Sequence, residues 1–302
     1  MTHPQPNAES ASRPSCAPSL IAILACFNRR EQTLGSLAAL SRSCQAAGMA
    51  PRAVLVDDGS TDGTGRAVTE AFPWTRVIRG TGSLFWCRGM NLAFKEALRE
   101  DPDFILWLND DTTLRGEAVE MLVGTARERQ RSTDRPVIVV GSTTDECGQL
   151  TYGGERSVSK WLPTKLVKVP PGEVPTPIDT MNGNCVLVDR GAARALGPLD
   201  PAFEHAMGDT DYGFRAVRRG IGLWLSPGIL ASCSGNSRVG TYLDRSLPLS
   251  RRWTLMMSPK GLPWRSWLRL TFRHGGVLWP LVFAWPYARL LLGSVPSPRH
   301  LR

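Results

Sequence analysis

Short apolar runs alternate with longer segments of helical periodicity in the first half of the chain. The runs have the length and composition of strands buried in a parallel sheet. We predict four such strands: Leu20–Cys26, Ala53–Val56, Arg76–Ile78 and Phe104–Leu108. Before the fourth strand, apolar residues recur on one helix face: Met90, Ala93, Phe94, Ala97 and Leu98. Strands that alternate with helices imply right-handed crossovers and an α/β fold, with a mainly parallel sheet flanked by helices.

Local signals indicate where the predicted helices begin. Asn28 and Glu31 have the spacing of a capping box, which would open a helix after the first strand. A second helix, after the second strand, would place four residues on its apolar face: Ala67, Val68, Ala71 and Phe72. We predict a loop over Gly80–Cys87, before the third helix.

The pattern is less regular in the second half of the chain. Residues 150–180 are rich in Pro, Gly and Lys, and we predict an irregular excursion there. The remaining predicted elements are two strands, a helix and a last strand: Pro136–Gly141, Met181–Asp189, Gly208–Gly220 and Ile221–Leu225. We expect Pro227 to end the last strand, because proline cannot donate to a strand ladder.

The positive charge of the chain is concentrated near its C-terminal end. Of the 302 residues, 42% are hydrophobic and 21% are charged, which is the balance of a folded globular protein. The formal net charge is +9, and residues 243–302 hold ten Lys or Arg and one acid. The other 242 residues are neutral, with 26 basic and 26 acidic side chains. This distribution argues against nucleic acid as a partner and favours a local contact.

Residues 1–18 are polar and rich in Pro, Ser and Ala, so we predict a disordered lead-in without a signal peptide. The seven cysteines include no Cys-x-x-Cys pair, which argues against a disulfide framework or a zinc site. Free thiols favour a reducing compartment, so we predict a cytoplasmic protein.

The basic extension, residues 243–302, contains an amphipathic segment followed by a short apolar run. Its apolar face and its arginine stripe are formed by Trp264, Trp267, Leu268 and Thr271, and by Arg265, Arg269 and Arg273. The apolar run Gly275–Ala288 has about 14 residues, too few to span a bilayer. We predict that the extension lies on the anionic inner face of a membrane. The alternative is a helical layer that packs on the domain.

Two groups of acidic residues directly follow predicted strands, Asp57–Asp58 and Asn109–Asp111. The carboxyl ends of parallel strands form one edge of the sheet, where ligands bind in such folds. Adjacent carboxylates repel each other, and a hard cation such as Mg²⁺ or Mn²⁺ would relieve that repulsion. The alternative is a pair of capped turns, since Asn and Asp favour turns and helix starts. No phosphate-binding glycine motif follows a strand, which argues against a dehydrogenase or a P-loop NTPase.

A third acidic group lies at the start of the predicted helix over Gly208–Gly220. Asp211 and Arg215 are four residues apart, so we expect them to form an ion pair on one helix face. Asp209 is six residues before Arg215, so the two side chains lie on different faces of the helix and cannot pair. It is therefore free to act as a general base at the helix N-terminus.

In their order and spacing these motifs resemble the family 2 inverting glycosyltransferases with the GT-A fold. The resemblance rests on Cys26–Asn28, Val56–Asp62, Leu108–Asp111 and Gly208–Asp211, and it covers roughly residues 19–235. The stretch Leu84–Asn91 is similar to a bacterial subgroup of rhamnosyltransferases and galactofuranosyltransferases. The resemblance to the family implies a catalytic domain over residues 19–242, with a nucleotide-sugar half (19–141) and an acceptor half (142–242).

The resemblance also implies roles for particular residues. Those expected to bind the nucleotide sugar are Phe27, Asn28, Asp57, Asp58, Arg88 and Asp110. Asp111 would bind the metal ion and Asp209 would deprotonate the acceptor. The acceptor side would be formed by Asn182, Gly183, Asn184 and Asp211.

Three positions depart from the family pattern. Asn109 stands where the metal motif often begins with Asp, and Gly208 replaces the Glu before the catalytic Asp. Cys233 stands where many relatives have a His that helps to bind the metal, and we expect it to be a packing residue.

The resulting hypothesis is an inverting transferase that moves a sugar from a UDP- or dTDP-sugar to a saccharide or lipid-linked hydroxyl in cell-surface glycan synthesis. One alternative is a sugar nucleotidyltransferase, although Phe27–Arg30 lacks the glycines expected there. Another is a non-catalytic protein that binds nucleotide sugars.

Overall fold

The structure is a computed structural model, and it describes residues 18–235 and 237–293. The predicted lead-in therefore lies outside the described residues, except for Pro18. The strands are β1 (Leu20–Cys26), β2 (Ala53–Asp57), β3 (Thr75–Arg79), β4 (Phe104–Leu108), β5 (Thr113–Leu114), β6 (Val137–Thr144), β7 (Leu150–Tyr152), β8 (Gly154–Ser157), β9 (Leu166–Lys168), β10 (Thr176–Pro177), β11 (Thr180–Met181), β12 (Cys185–Asp189) and β13 (Gly222–Ser232). The helices are α1 (Arg30–Ala46), α2 (Thr64–Ala71), α3 (Phe85–Leu98), α4 (Ala118–Thr133), α5 (Arg190–Leu196), α6 (Gly208–Arg218), α7 (Leu249–Met257), α8 (Trp264–His274) and α9 (Trp279–Leu292).

A mixed sheet forms the centre of the molecule, with its main path in the order β3-β2-β1-β4-β12-β6-β13-β10. The first four strands along the chain are mutually parallel, whereas β12 runs antiparallel to both β4 and β6. Every residue of β1, β2 and β4 is buried, as expected for parallel strands covered on both faces. The predicted α/β fold with a sheet of GT-A type is confirmed.

Side chains alternate between the two faces of the sheet and so build two apolar layers. In β1, Ile21 and Ile23 join the layer that contains Phe94 and Tyr212, while Leu20 and Leu24 join the opposite layer. Helices α3, α5 and α6 cover the first face, and α1, α2 and α4 cover the second. Because β1 is covered on both sides, the polar residues that follow it are held at a fixed edge.

Two predicted helix starts differ from the structure. Asn28 does not cap α1, because its side-chain oxygen accepts a hydrogen bond from the Thr61 amide at 2.8 Å and the helix begins after Arg29. The predicted loop over Gly80–Cys87 ends early, since α3 begins at Phe85. The carboxylate of Asp58 accepts the amide hydrogens at the start of this helix and thereby stabilises it.

The second half of the chain is more regular than predicted. The excursion over residues 150–180 contains short strands, and β8, β9 and β11 pair into a separate sheet. Pro227 does not end the last strand, because β13 continues to Ser232 and changes register between Leu225 and Ile229. At such a register shift the strand ladder needs no backbone N–H donor, so proline, which has none, is tolerated. Helix α4 was not predicted, although Val119, Leu122 and Ala126 have helical spacing.

The described part of the basic extension, residues 243–293, packs on the domain through helix α8, and residues 294–302 lie outside the described residues. Leu270, Thr271 and His274 are buried, whereas Trp264 is 49% exposed. In residues 18–235 and 237–293, no helix is long and apolar enough to cross a membrane. The packing alternative therefore holds for the inner face of α8, and contact of its outer face with a membrane stays a prediction.

A buried carboxylate joins α8 to α6. Asp211 has no exposed side-chain surface, and it accepts hydrogen bonds from Nε of Arg215 at 2.8 Å, Nη1 of Arg273 at 3.0 Å and Nε2 of His274 at 2.9 Å. The predicted pair with Arg215 is present, and Asp211 also faces α8, so its expected place on the acceptor side stays a prediction. The pKa of Asp211 falls to about 2, since these donors outweigh the desolvation that burial imposes.

We expect Asp211→Asn to lower the free energy of unfolding by about 3 kcal/mol at neutral pH, because Arg215 and Arg273 would lose the charge that balances them. The contribution of Asp211 is present above its unfolded pKa of about 3.9 and is lost as the pH falls through about 2. Urea denaturation should therefore show the wild type and the variant converging between pH 4 and pH 2. Asp101→Asn, at a surface pair with Arg194, is the control and should change stability by less than about 1 kcal/mol. A constant difference at all pH values would contradict this account.

Candidate active site

A cavity of about 490 Å³ opens at the carboxyl ends of β1, β2 and β4. Parallel neighbours bring these three strand ends to one edge of the sheet. The polar side chains that line the cavity come from both halves of the domain and from the extension, and they include Arg29, Asp58, Asn109, Asp110, Asp111, Asn182, Asn184, His205, Asp209 and Lys260. Apart from Arg29, His205 and Lys260, all of these had been singled out in the sequence.

The two acids at the end of β2, Asp57 and Asp58, have different roles in the fold. Asp58 lines the cavity, and its carboxylate accepts the amide hydrogens of Gly82 at 2.8 Å and of Leu84 and Phe85 at 2.9 Å each. Asp57 is buried outside the cavity lining, and its Oδ1 accepts the amide hydrogen of Ser60 at 2.9 Å. Asp58 therefore orders the loop that forms the cavity wall.

Residues Asn109–Asp111 follow β4 and face the cavity. Nε1 of Trp86 donates to Oδ1 of Asn109 at 2.7 Å, so this amide oxygen already has a partner. Nη1 of Arg29 lies 3.1 Å from Oδ1 of Asp110 and 2.6 Å from Oδ2 of Asp111. Burial raises the pKa of Asp110 to about 6 although the guanidinium opposes the shift.

The residues at this edge fit a hard divalent cation in part. Asp110 and Asp111 offer carboxylate oxygens, the ligands that Mg²⁺ and Mn²⁺ prefer. Cys233 does not offer a thiolate ligand, because burial raises the pKa of its thiol to about 11. Its thiol instead donates to Oδ1 of Asp111 at 3.5 Å. The part of the chain that the structure describes has no cluster of three or more His, Cys, Asp or Glu side chains suited to a metal. A cation here would therefore need further oxygens from water or a bound phosphate.

Asp209 lies in the first turn of α6 and lines the same cavity. Its Oδ2 accepts the amide hydrogen of Gly183 at 2.9 Å, and its Oδ1 accepts that of Thr210 at 2.8 Å. Desolvation raises the pKa of Asp209, and these two hydrogen bonds only partly offset the effect. The carboxylate is thus fixed in orientation, and its raised pKa makes it a stronger base than an exposed aspartate.

The other residues expected on the acceptor side, Asn182, Gly183 and Asn184, line the cavity next to Asp209. Phe27 also lines the cavity, with its side chain 52% exposed. Asn28 lies behind this wall, where it joins the turn after β1 to the turn after β2.

Arg88 is not placed at the cavity. Its Nε donates to the carbonyl oxygen of Pro201 at 3.0 Å, and its guanidinium pairs with Glu204 at 3.2 Å. It therefore anchors α3 to the loop before α6, and its contact with a nucleotide stays a prediction.

Several residues that line the cavity were missed in the sequence. Arg29 immediately follows a motif already singled out, so its position at the end of β1 was a usable signal. His205 and Lys260 gave no such signal, because only the tertiary fold brings the loop before α6 and the extension to this edge. Burial and the nearby cations Lys260 and Arg29 lower the pKa of His205 to about 4, so it is neutral at physiological pH.

Comparison with known proteins agrees with this geometry. Residues 21–189 match the family described as "Glycosyl transferase family 2". The chain therefore belongs to glycosyl transferase family 2 and is a glycosyltransferase. No curated protein matches the sequence significantly.

Solved structures with the same fold share little sequence with this chain. TarS from S. aureus (residues 1–349, with UDP) aligns with a TM-score of 0.55 and 12% identity over 93% of this chain and 76% of its own. Mannosyltransferase PcManGT from Pyrobaculum calidifontis, in complex with GDP-Man and Mn²⁺, aligns with a TM-score of 0.54 and 15% identity. The alignment covers 96% of this chain and 74% of that one. Against a longer TarS structure, with a TM-score of 0.51 and 14% identity, the match covers 72% of this chain but 36% of that one. These likenesses show the fold.

The glycine before Asp209 is required by packing. A Cβ at Gly208 would lie 2.3 Å from Sγ of the buried Cys87, so no larger residue fits without a shift. We expect Gly208→Ala to lower the free energy of unfolding by about 1 to 3 kcal/mol, the usual cost of overpacking.

Gly124→Ala is the matched control, because nothing lies within 4 Å of the added carbon. It should stabilise α4 by up to about 1 kcal/mol. In Gly208→Ala combined with Cys87→Ala, the removed sulfur should relieve the clash, so the double variant should lose less stability than the two single variants together. Strict additivity in urea denaturation would argue against this contact as the cause.

Proposed function

We propose that this chain is an inverting glycosyltransferase that moves a sugar from a UDP- or dTDP-sugar to a hydroxyl of a saccharide or lipid-linked acceptor. The observation that carries the proposal is that one cavity is lined both by Asp58, Asp110 and Asp111, which follow strands of the sheet, and by Asp209, in the first turn of α6. These two groups of residues could thus bind a donor and an acceptor at the same time. The proposed biological role is the synthesis of cell-surface polysaccharide or glycan, in the manner of a rhamnosyltransferase.

On the donor side, the exposed ring of Phe27 offers a face for the nucleotide base, and Asp58 offers oxygens near the sugar. Asn28 and Asp57 act indirectly by holding the two turns that carry these residues. Asp111, with Asp110, would hold Mg²⁺ or Mn²⁺. When bound, the ion would neutralise charge on the departing diphosphate.

On the acceptor side, Asp209 would take the proton of the attacking hydroxyl. Each of its oxygens accepts one backbone hydrogen bond, which leaves acceptor capacity for the substrate. Asn182 and Asn184 would orient the acceptor. Attack on the anomeric carbon from the side opposite the nucleotide is a single displacement, and it inverts the configuration.

The direct test of this function is a search for release of a nucleoside diphosphate. A panel of nucleotide sugars, with and without Mn²⁺, should contain a donor that raises the melting temperature through ligand linkage. Release of nucleoside diphosphate should then require both that donor and an acceptor. A nucleotidyltransferase would instead release pyrophosphate from a nucleoside triphosphate and a sugar phosphate, and a binding protein would release neither product.

Asp209→Asn should lower turnover by roughly 10² to 10⁴, because an amide cannot accept the proton at neutral pH. Donor affinity should persist, since Asp209 lies on the acceptor side. The raised pKa of Asp209 predicts that wild-type turnover falls as the pH drops through that value, because the carboxylate becomes protonated. The residual turnover of the variant should not show this fall at low pH.

Asp211→Asn is the control, since Asp211 pairs with α8 and is expected to affect mainly stability. If that variant loses turnover with its fold intact while Asp209→Asn stays active, the catalytic base has been assigned to the wrong carboxylate.

We further propose that the outer face of the extension lies on an anionic membrane surface, on the cytoplasmic side. The large apolar side chains exposed on α8, α9 and the turn between them are Trp264, Phe272, Val277, Leu278, Leu281, Trp285, Leu291 and Leu292. This segment belongs to the basic extension, so apolar insertion and attraction to anionic lipid would act together.

We expect the full chain to co-sediment with phosphatidylglycerol vesicles, less with phosphatidylcholine vesicles, and less as salt is added. Trp285→Ser removes an indole that is 60% exposed and should reduce the bound fraction. Val174→Ser is the control, because its side chain is 68% exposed but lies outside the extension. Equal binding to both lipids, or equal losses in both variants, would contradict the proposal.

A further inference from the structure

The acidic pair after β4 already has a counter-ion within the chain. A single nitrogen of Arg29 lies within hydrogen-bond distance of a carboxylate oxygen of both Asp110 and Asp111. The side chain of Asp110 is 9% exposed, so its charge is poorly solvated and would repel its neighbour strongly without a cation. The guanidinium thus lies where a cation shared by the two carboxylates would lie.

The fold fixes the position from which Arg29 reaches the pair. Arg29 is the residue before α1, three positions after β1 ends, and β1 is the parallel neighbour of β4. Its carbonyl oxygen accepts hydrogen bonds from the amide of Thr33 at 2.9 Å and from its hydroxyl at 2.8 Å. The backbone is therefore anchored, while the side chain is 45% exposed and has room to turn toward solvent.

We propose that Arg29 is a built-in counter-cation that competes with the divalent ion for the space between Asp110 and Asp111. This inference rests on the metal-dependent function proposed above, because it concerns the same two carboxylates. Two carboxylates and one guanidinium leave a net charge of −1, whereas a divalent ion in its place leaves none. The ion is thus still attracted, but it binds only when the guanidinium swings aside.

The second oxygen of Asp111 supports this competition. Oδ2 accepts from Arg29, while Oδ1 accepts from the thiol of Cys233 at 3.5 Å. Both oxygens of the expected metal ligand therefore hold a hydrogen of the protein itself. The thiol contact is weak, so the guanidinium is the main competitor.

The test is a titration of the full chain with Mn²⁺ alone, in which free Mn²⁺ is measured by electron paramagnetic resonance. Arg29→Gln should bind Mn²⁺ more tightly than the wild type by roughly tenfold, the order expected from the loss of one charge-assisted competitor. Arg29→Lys keeps one charge without the fork geometry and should lie between the two.

Arg30→Gln is the matched control. Arg30 is the next residue, its side chain is 53% exposed, and its guanidinium lies 4.0 Å from the carboxylate of Glu31. It should leave Mn²⁺ affinity unchanged. Equal or weaker binding by Arg29→Gln would overturn the proposal, as would an equal gain in Arg30→Gln, which would reflect only the change in net charge.

The outcomes also separate this inference from the proposed function. If Mn²⁺ binds neither the wild type nor Arg29→Gln while sugar transfer proceeds in EDTA, the counter-cation proposal fails and the transferase stands. If Arg29→Gln binds Mn²⁺ more tightly but no donor and acceptor yield nucleoside diphosphate, the role of Arg29 as a counter-cation is supported and the proposed sugar transfer is rejected.

Discussion

Repulsion between carboxylates at one edge of a parallel sheet is the constraint on which this structure depends. The strands β1, β2 and β4 end together, so the acids that follow β2 and β4 converge on one cavity. Each acid is balanced differently. Asp58 is held by backbone amides, whereas Asp110 and Asp111 share the guanidinium of Arg29. The site is thus assembled by the sheet and kept stable by donors from the loops around it.

A second charge cluster, away from the cavity, connects the extension to the same site. Asp211 is buried between α6 and α8, two residues after Asp209 in the same helix. Its hydrogen bonds to Arg273 and His274 therefore fix the helix whose first turn carries Asp209. Lys260, in the turn before α8, lines the cavity itself. The inner face of α8 is thereby part of the domain.

The sequence predicted the elements whose pattern is set locally and missed those set by tertiary contacts. The strands β1, β2 and β4 were found because a strand buried on both faces is apolar at every position. The start of α3 was missed because Asp58, more than twenty residues earlier, accepts the amide hydrogens of its first turn. Asp209 was found by its motif, but nothing local showed that Gly183 would orient it or that Lys260 would approach. Contacts between residues so far apart in the sequence leave no signal in the local hydrophobic periodicity.

The three departures from the family pattern have physical reasons in this chain. Asn109 has an amide oxygen that accepts from the indole of Trp86, where the carboxylate common in the family would add a third negative charge beside Asp110. Gly208 leaves no room for a side chain, because Cys87 packs against its α-carbon. Cys233 is buried with a protonated thiol. Two of these changes remove a possible metal ligand, and Arg29 supplies positive charge at the same place. The residues at this edge therefore balance much of its negative charge themselves, and a divalent ion would have to compete with Arg29, as proposed above.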